Sequence, residues 1–129
     1  MKFIVSAVFI SILMVVAVPA YSGGSAMQMW KCEMDDDATE KHVKEKAAEW
    51  LKAAKTMKGG KNLEAYIYFP VAVNDMGETD LIFTLVAPSF AEWGQFWDSY
   101  SGSAAAAADK QNELVNCPDS AVWEAHKIK

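Results

Sequence analysis

The alternation of two hydrophobic periods along the chain restricts its fold more than any other feature. Met27 to Met34 follows a two-residue period that puts Trp30 and Cys32 on the inner side, which predicts a first strand. The segment 43–57 then follows a helical period, with lysines and glutamates on the opposite face. Gly59-Gly60 predicts the end of this helix, and its N-cap is predicted at one of two residues, Asp37 or Thr39.

The next part of the chain predicts a β-hairpin. Two segments rich in β-branched and aromatic residues, 63–73 and 79–86, are separated by the turn sequence 74–77. We expect the first of these strands to be long. Pro70 within it predicts a bulge or an edge position, because proline cannot donate to a neighbouring strand.

A second helix and a fourth strand complete the pattern. Ser89 forms a predicted capping box with Glu92, and an aromatic stripe follows on one side of that helix, made by Phe90, Trp93, Phe96, Trp97 and Tyr100. The segment 101–103 interrupts the helix before a run of alanines, so we expect a kinked helix or a helix in two pieces. We predict a turn over 117–119 and the fourth strand over 120–128.

The N-terminus has the pattern of a secretory signal peptide. One lysine precedes the uncharged apolar stretch 3–18, and small residues follow it. We predict a signal peptide over 1–22, with cleavage after Ala20 or as late as Ala26 as alternatives, and a single domain over 27–129. A membrane anchor is the competing interpretation, but the apolar stretch is shorter than the about twenty residues that a spanning helix needs. The protein is therefore expected to be exported, either to the periplasm or as a secreted protein.

The order of the elements is βαββαβ, so the predicted fold class is α+β and ferredoxin-like. It consists of a four-stranded antiparallel sheet with two helices on one face. The first and last strands are neighbours in this topology, which brings Cys32 and Cys117 to the same edge. Because an exported protein folds in an oxidising compartment, we predict a disulfide between them. The alternative, a redox-active pair or metal thiolates, lacks a Cys-x-x-Cys spacing and a nearby histidine cluster.

The charge balance argues against nucleic-acid and membrane partners. The chain has 17 acidic residues against 12 basic ones, for a net charge of −5, and every basic residue is a lysine. Phosphate recognition relies on clustered basic residues and on the guanidinium group of arginine. We therefore expect neither nucleic acid nor an anionic membrane surface as a partner, and no stable membrane insertion after signal removal.

The element order, the long second strand, the interrupted second helix and the stretch Pro88 to Trp93 resemble the dimeric α/β-barrel superfamily. This superfamily includes antibiotic-biosynthesis-type monooxygenases and stress-responsive barrel proteins. The resemblance implies a homodimer whose two sheets face one another, and an apolar pocket between sheet and helices in each subunit. Tyr66 and Tyr68 would line the sheet face without helices; the alternative is that they are ordinary half-exposed aromatics of neighbouring strands.

Candidate site residues are expected around this pocket. The ligand-pocket candidates are Tyr66, Tyr68, Phe83, Trp93 and Trp97. His126 on the fourth strand is the candidate catalytic base, although a lone strand histidine is more often structural, and His42 is expected to be solvated. Superfamily enzymes that oxidise quinol-like aromatics or degrade haem use an arrangement of Asn, Trp and His or Arg that this chain does not match.

The sequence leaves two candidate functions open. We expect no cofactor and no metal ion, because the sequence contains no metal-ligand cluster, phosphate-binding glycine loop or nucleotide fingerprint. The first function is that of an exported barrel protein that binds a small apolar or aromatic ligand or acts through association. The second is a cofactor-independent monooxygenase-like enzyme for aromatic substrates, with His126 as its base.

Overall fold

A computed structural model describes residues 23–129 of the chain, so the predicted signal peptide over 1–22 lies outside the described residues. The described part contains four strands and three helices. In chain order they are β1 (Ser25–Met34), α1 (Glu40–Ala54), β2 (Glu64–Tyr68), β3 (Leu81–Ala87), α2 (Phe90–Asp98), α3 (Ala104–Lys110) and β4 (Val115–Ala125).

The strands form a single sheet in the order β2-β3-β1-β4, and all neighbouring strands are antiparallel. With the second helix divided, this is the split βαββαβ arrangement, so the α+β, ferredoxin-like prediction is confirmed. The predicted hairpin of β2 and β3 is present, and β1 and β4 are neighbours as expected. The central strands β1 and β3 carry the largest share of the core.

The second strand is shorter than its sequence pattern indicates. It ends at Tyr68, whereas the β pattern continues to Val73. Pro70 has no backbone N–H and restricts the residue before it, so it ends the pairing with β3. Phe69 still packs against the core, but Val71 is 98% exposed and Val73 is 56% exposed, so the end of the pattern does not enter it.

The fourth strand begins earlier than predicted. It starts at Val115 and includes the segment 117–119, which the sequence predicts as a turn. Pairing with β1 shifts by a residue between Lys31 and Glu33, so the extra residue forms an irregularity opposite Cys32. β4 is at the edge of the sheet and pairs with β1 only, so Pro118, which has no backbone N–H, breaks no hydrogen bond to a second neighbouring strand.

Side-chain caps fix where the helices begin. The Thr39 hydroxyl accepts a hydrogen bond from the His42 backbone N–H at 3.3 Å, so Thr39 is the N-cap of α1. The Ser89 hydroxyl accepts from the Glu92 N–H at 3.1 Å at the start of α2, as predicted. Ser103 caps α3 in the same way, and the second helix is therefore built in two pieces.

Helix-facing side chains of the sheet form the core together with the three helices. One cluster of buried residues consists of Ala26, Ala54, Leu63, Leu85, Ala87, Phe96 and Ala105. A smaller cluster lies beside it and consists of Cys32, Val43 and Leu81. The predicted disulfide is present between Cys32 on β1 and Cys117 on β4, and it joins this second cluster to the edge of the sheet.

Removal of the disulfide is expected to destabilise the protein by about 4 kcal/mol, because the bond restricts the unfolded chain over a sequence separation of 85 residues. The double variant Cys32→Ala/Cys117→Ala should melt at least about 10 °C below the parent protein. Thermal melting followed by circular dichroism measures this difference. Dithiothreitol should lower the melting temperature of the parent only; equal melting temperatures for parent and variant would contradict the expectation.

Gly59 is expected to tolerate no side chain. Its φ is +75°, and a Cβ there would lie 2.7 Å from the backbone nitrogen of Phe96 and against the carbonyl of Glu92. Gly59→Ala should therefore lower the free energy of unfolding by about 2 kcal/mol or more in a urea titration. The matched control is Gly94→Ala inside α2, where a Cβ meets no atom within 4 Å and should stabilise by about 0.5–1 kcal/mol.

Candidate functional site

A cavity of about 320 Å³ lies between the sheet and the helices. Its aromatic walls are formed by Trp30, Trp50, Phe83, Trp97 and Tyr100. Its aliphatic walls are formed by Val43, Ala47, Ile67, Leu81 and Val115, and the disulfide between Cys32 and Cys117 also lines it. The two remaining lining residues, Asp109 and Asn112, are polar and come from α3 and the turn after it. The cavity is thus apolar with polar groups at one side only.

Strand alternation places two of these rings side by side. Trp30 precedes the buried Cys32 by two residues, and Phe83 follows the buried Leu81 by two, so both rings share the helix-facing side of the sheet. Trp30 and Phe83 are direct partners in the ladder between β1 and β3. Their ring centroids are therefore only 5.6 Å apart, and the two side chains form the floor of the cavity.

Helical spacing brings the other three rings over this floor. Trp50 lies two turns after Val43 on α1, and its ring meets Phe83 edge to face, with centroids 5.7 Å apart and planes at 85°. Trp97 and Tyr100 are three residues apart, and their centroids are separated by 4.8 Å. Trp97 also lies 6.1 Å from Trp30. The five rings therefore form one continuous aromatic surface.

Hydrogen bonds order the polar side of the cavity. The Trp50 indole N–H donates to the Tyr100 hydroxyl at 3.1 Å, and that hydroxyl donates to an Asp109 carboxylate oxygen at 3.3 Å. Burial raises the pKa of Tyr100, and the neighbouring Asp109 raises it further, while the hydrogen bond from Trp50 acts in the opposite direction. Tyr100 is therefore a neutral phenol near neutral pH, so its hydroxyl keeps the proton that it donates in the hydrogen bond to Asp109.

One polar atom of the cavity wall has no partner. The indole Nε1 of Trp97 is buried and forms no hydrogen bond with any atom of residues 23–129. A buried donor without an acceptor costs free energy on the order of 1–3 kcal/mol. A ligand that offers an acceptor oxygen to this N–H would recover part of that cost.

The structure brings two of the five predicted pocket residues to the cavity. Phe83 and Trp97 line it. Trp93 does not, because its indole N–H is turned to Gln28 of β1, with a hydrogen bond of 3.0 Å. Tyr66 and Tyr68 lie on the opposite face of the sheet, since they alternate with Ala65 and Ile67, which face the helices.

His126 does not line the cavity. It follows the last residue of β4, and its side chain is 60% exposed and 3.3 Å from the Glu124 carboxylate. The strand was expected to continue to Ile128 and to turn this histidine toward the pocket. Because β4 ends at Ala125, the alternation that supported this orientation stops before His126. A catalytic role for His126 stays a prediction.

Sequence reasoning missed the polar side of the cavity. The sequence pattern indicates Tyr100 only as a member of the aromatic stripe, and Trp50 only as an apolar position within the segment 43–57. Asp109 is not among the residues that the sequence pattern indicates: it lies four residues after Ala105 on α3, and its exposed side chain lies at the rim of the cavity. No three His, Cys, Asp or Glu side chains of residues 23–129 are grouped as metal ligands. Within the same residues, no helix has the length and apolar character that crossing a membrane requires.

No protein-family model matches the chain, and no curated protein matches it. Among solved structures it is similar to a chlorite dismutase-like protein, at 13% identity and a TM-score of 0.47, over 78% of this chain and 43% of that one. A mutant chlorite dismutase from Candidatus Nitrospira defluvii is similar at 14% identity and a TM-score of 0.44, over 83% of this chain and 42% of that one. The chain thus spans less than half the length of these structures. At this level the similarity does not extend to function, and the ferredoxin-like assignment depends on the strand order.

Proposed function

We propose that this protein binds a small aromatic ligand in the cavity between its sheet and its helices. The observation that carries the proposal is the continuous surface of five aromatic rings around a volume of about 320 Å³. Binding sites for small molecules are typically concave, mostly apolar and about 300–1,000 Å³ in volume, with a few polar groups that orient the ligand. This cavity is at the small end of that range, so a ligand with one aromatic ring fits it best.

Binding is favoured over catalysis by the groups that line the cavity. A monooxygenase-like reaction requires a base within hydrogen-bond reach of the substrate. The candidate base His126 lies beyond the end of β4 and outside the cavity lining. The Asp109 carboxylate accepts a hydrogen bond from the Tyr100 hydroxyl, which is consistent with a role in holding a polar group of a ligand.

We also propose that the protein is exported. The disulfide between Cys32 and Cys117 supports this location, because such bonds persist in oxidising compartments. Cleavage after Ser22 or Ala20 would keep β1 whole, whereas cleavage after Ala26 would remove a fully buried residue that pairs with Ala87. The mass of the exported mature chain distinguishes these sites, because each leaves a different first residue.

We propose a homodimer formed by the sheet face that carries no helices. Apolar and aromatic side chains occupy this face on all four strands: Met27, Met29, Tyr66, Tyr68, Ile82, Val86 and Trp123. Tyr66, Tyr68 and Trp123 are 45%, 49% and 57% exposed. Exposed apolar patches of this kind indicate interaction sites, and a second copy offers a surface of the same shape and chemistry.

Ligand binding is tested by calorimetric titration with para-tert-butylphenol, which has one aromatic ring and one hydroxyl. We expect a dissociation constant in the submillimolar range, about what a fragment of this size reaches. Ala47→Phe places a ring in the cavity and should weaken binding about tenfold or more, because Ala47 lines the wall on α1. Ala107→Phe on the exposed side of α3 is the matched control and should bind as the parent does.

A melting curve of each variant shows that it is folded. If the parent protein gives no heat of binding with this phenol or with its methyl and halogen analogues, the proposed function is wrong. If Ala47→Phe binds as tightly as Ala107→Phe, binding occurs outside the cavity and the proposed site is wrong.

The dimer is tested by native mass spectrometry and sedimentation velocity at micromolar concentrations. We expect the parent chain to be a dimer and Trp123→Glu to be a monomer, because a carboxylate would be buried against the partner's apolar face. Val122→Glu is the matched control, since Val122 is the preceding residue of β4, lies on the helix side and is 41% exposed. A monomeric parent, or equal dissociation of the two variants, would contradict the proposed interface.

A further inference from the structure

The wall of the cavity carries a single formal charge, which is negative. Of the residues that line it, only Asp109 carries a formal charge, and no lysine or histidine is among them. The surrounding walls are aromatic on the sheet, on α1 and at the end of α2. A negative group beside several ring faces is the arrangement that attracts a positive charge, because each ring presents a negative face to a cation.

We propose that the ligand of this cavity is an organic cation, an amine or a quaternary ammonium group on a small aromatic body. The inference rests on the proposed function, that the cavity binds a small ligand, and adds the charge of that ligand. Three indole rings, of Trp30, Trp50 and Trp97, belong to the wall, and indole is the ring that binds cations best. The ring of the ligand packs on the aromatic floor, and its cationic group lies on the side of Asp109.

The carboxylate of Asp109 is available for this role. One of its oxygens accepts a hydrogen bond from the Tyr100 hydroxyl at 3.3 Å, and this hydrogen bond orients the carboxylate. The salt bridges within residues 23–129 do not include Asp109, so no lysine of the described chain neutralises it. Tyr100 is held as a neutral phenol and adds no competing charge.

Two lysines of the neighbouring helix α1 have ionic partners of their own. The Lys44 ammonium group is 3.5 Å from Glu40 and lies 5.2 Å above the ring of Phe69. Lys46 pairs with Glu49 at 2.9 Å. On α3, Lys110 follows Asp109 directly but is not among the cavity residues. The net charge of −5 over the whole chain also draws cations toward the protein.

The proposal is tested with two ligands of the same shape. The cationic probe is (para-hydroxyphenyl)trimethylammonium, and the neutral probe is para-tert-butylphenol, in which carbon replaces the charged nitrogen. We expect the cation to bind the parent protein about tenfold more tightly in calorimetric titrations at low salt. This preference should shrink at high ionic strength, while the affinity for the neutral probe should change little.

Asp109→Asn tests the role of the carboxylate with little change in shape. It should lower the ratio of the cation affinity to the neutral-probe affinity about threefold or more relative to the parent protein. Asp98→Asn, at the exposed end of α2 and outside the cavity lining, is the matched control and should retain the preference of the parent. Melting curves show that both variants are folded.

The possible outcomes separate this inference from the proposed function. Equal affinities for the two probes in the parent would overturn the cation preference and leave the aromatic binding site standing. Binding of neither probe would overturn both. A cation preference that is the same in Asp109→Asn and in Asp98→Asn would overturn the assignment of Asp109 as the anionic group of the site.

Discussion

The antiparallel pairing of β1 with β4, locked by the disulfide between Cys32 and Cys117, is the interaction on which the rest of the structure depends. Residues 118–124 of β4 are all exposed, so the helices give this strand little cover, and its hydrogen bonds and one covalent bond must hold it. The same bond forms part of the cavity wall. The edge of the sheet and the shape of the cavity are therefore fixed by one pair of residues, and reduction would loosen both together.

The cavity exists because the second helix is divided. A continuous helix would keep one axis direction along the sheet, whereas the break at 101–103 lets α3 change direction and pack against α1. The small side chains of Ala104 to Ala108 permit this close approach, and Tyr100 stands just before the break. As a result, Asp109 reaches the Tyr100 hydroxyl across the gap between the two pieces.

Local rules in the sequence predicted most of the fold, whereas the site depended on contacts between distant elements. The periods of hydrophobicity, the caps at Thr39 and Ser89 and the order of the elements led to the correct topology and disulfide. The predicted ends of β2 and β4 were wrong. A proline such as Pro118 occurs both in turns and in edge strands, and only the pairing with a neighbouring strand distinguishes the two. The hydrogen bond from Tyr100 to Asp109 joins the turn after α2 to α3, and the packing of these elements sets their relative position.

The alternation of side chains along β3 separates the two proposed surfaces. Phe83 faces the cavity, while Thr84, the next residue, lies on the face without helices between its ladder partners Met29 and Tyr66. A slip of one residue in the pairing would exchange the two sets and bring a hydroxyl into the aromatic floor. The fully buried core residues Leu81 and Leu85 prevent this slip, because both would be forced to the other face. The register of β3 thus assigns the proposed ligand-binding surface and the proposed association surface to opposite faces of the same sheet.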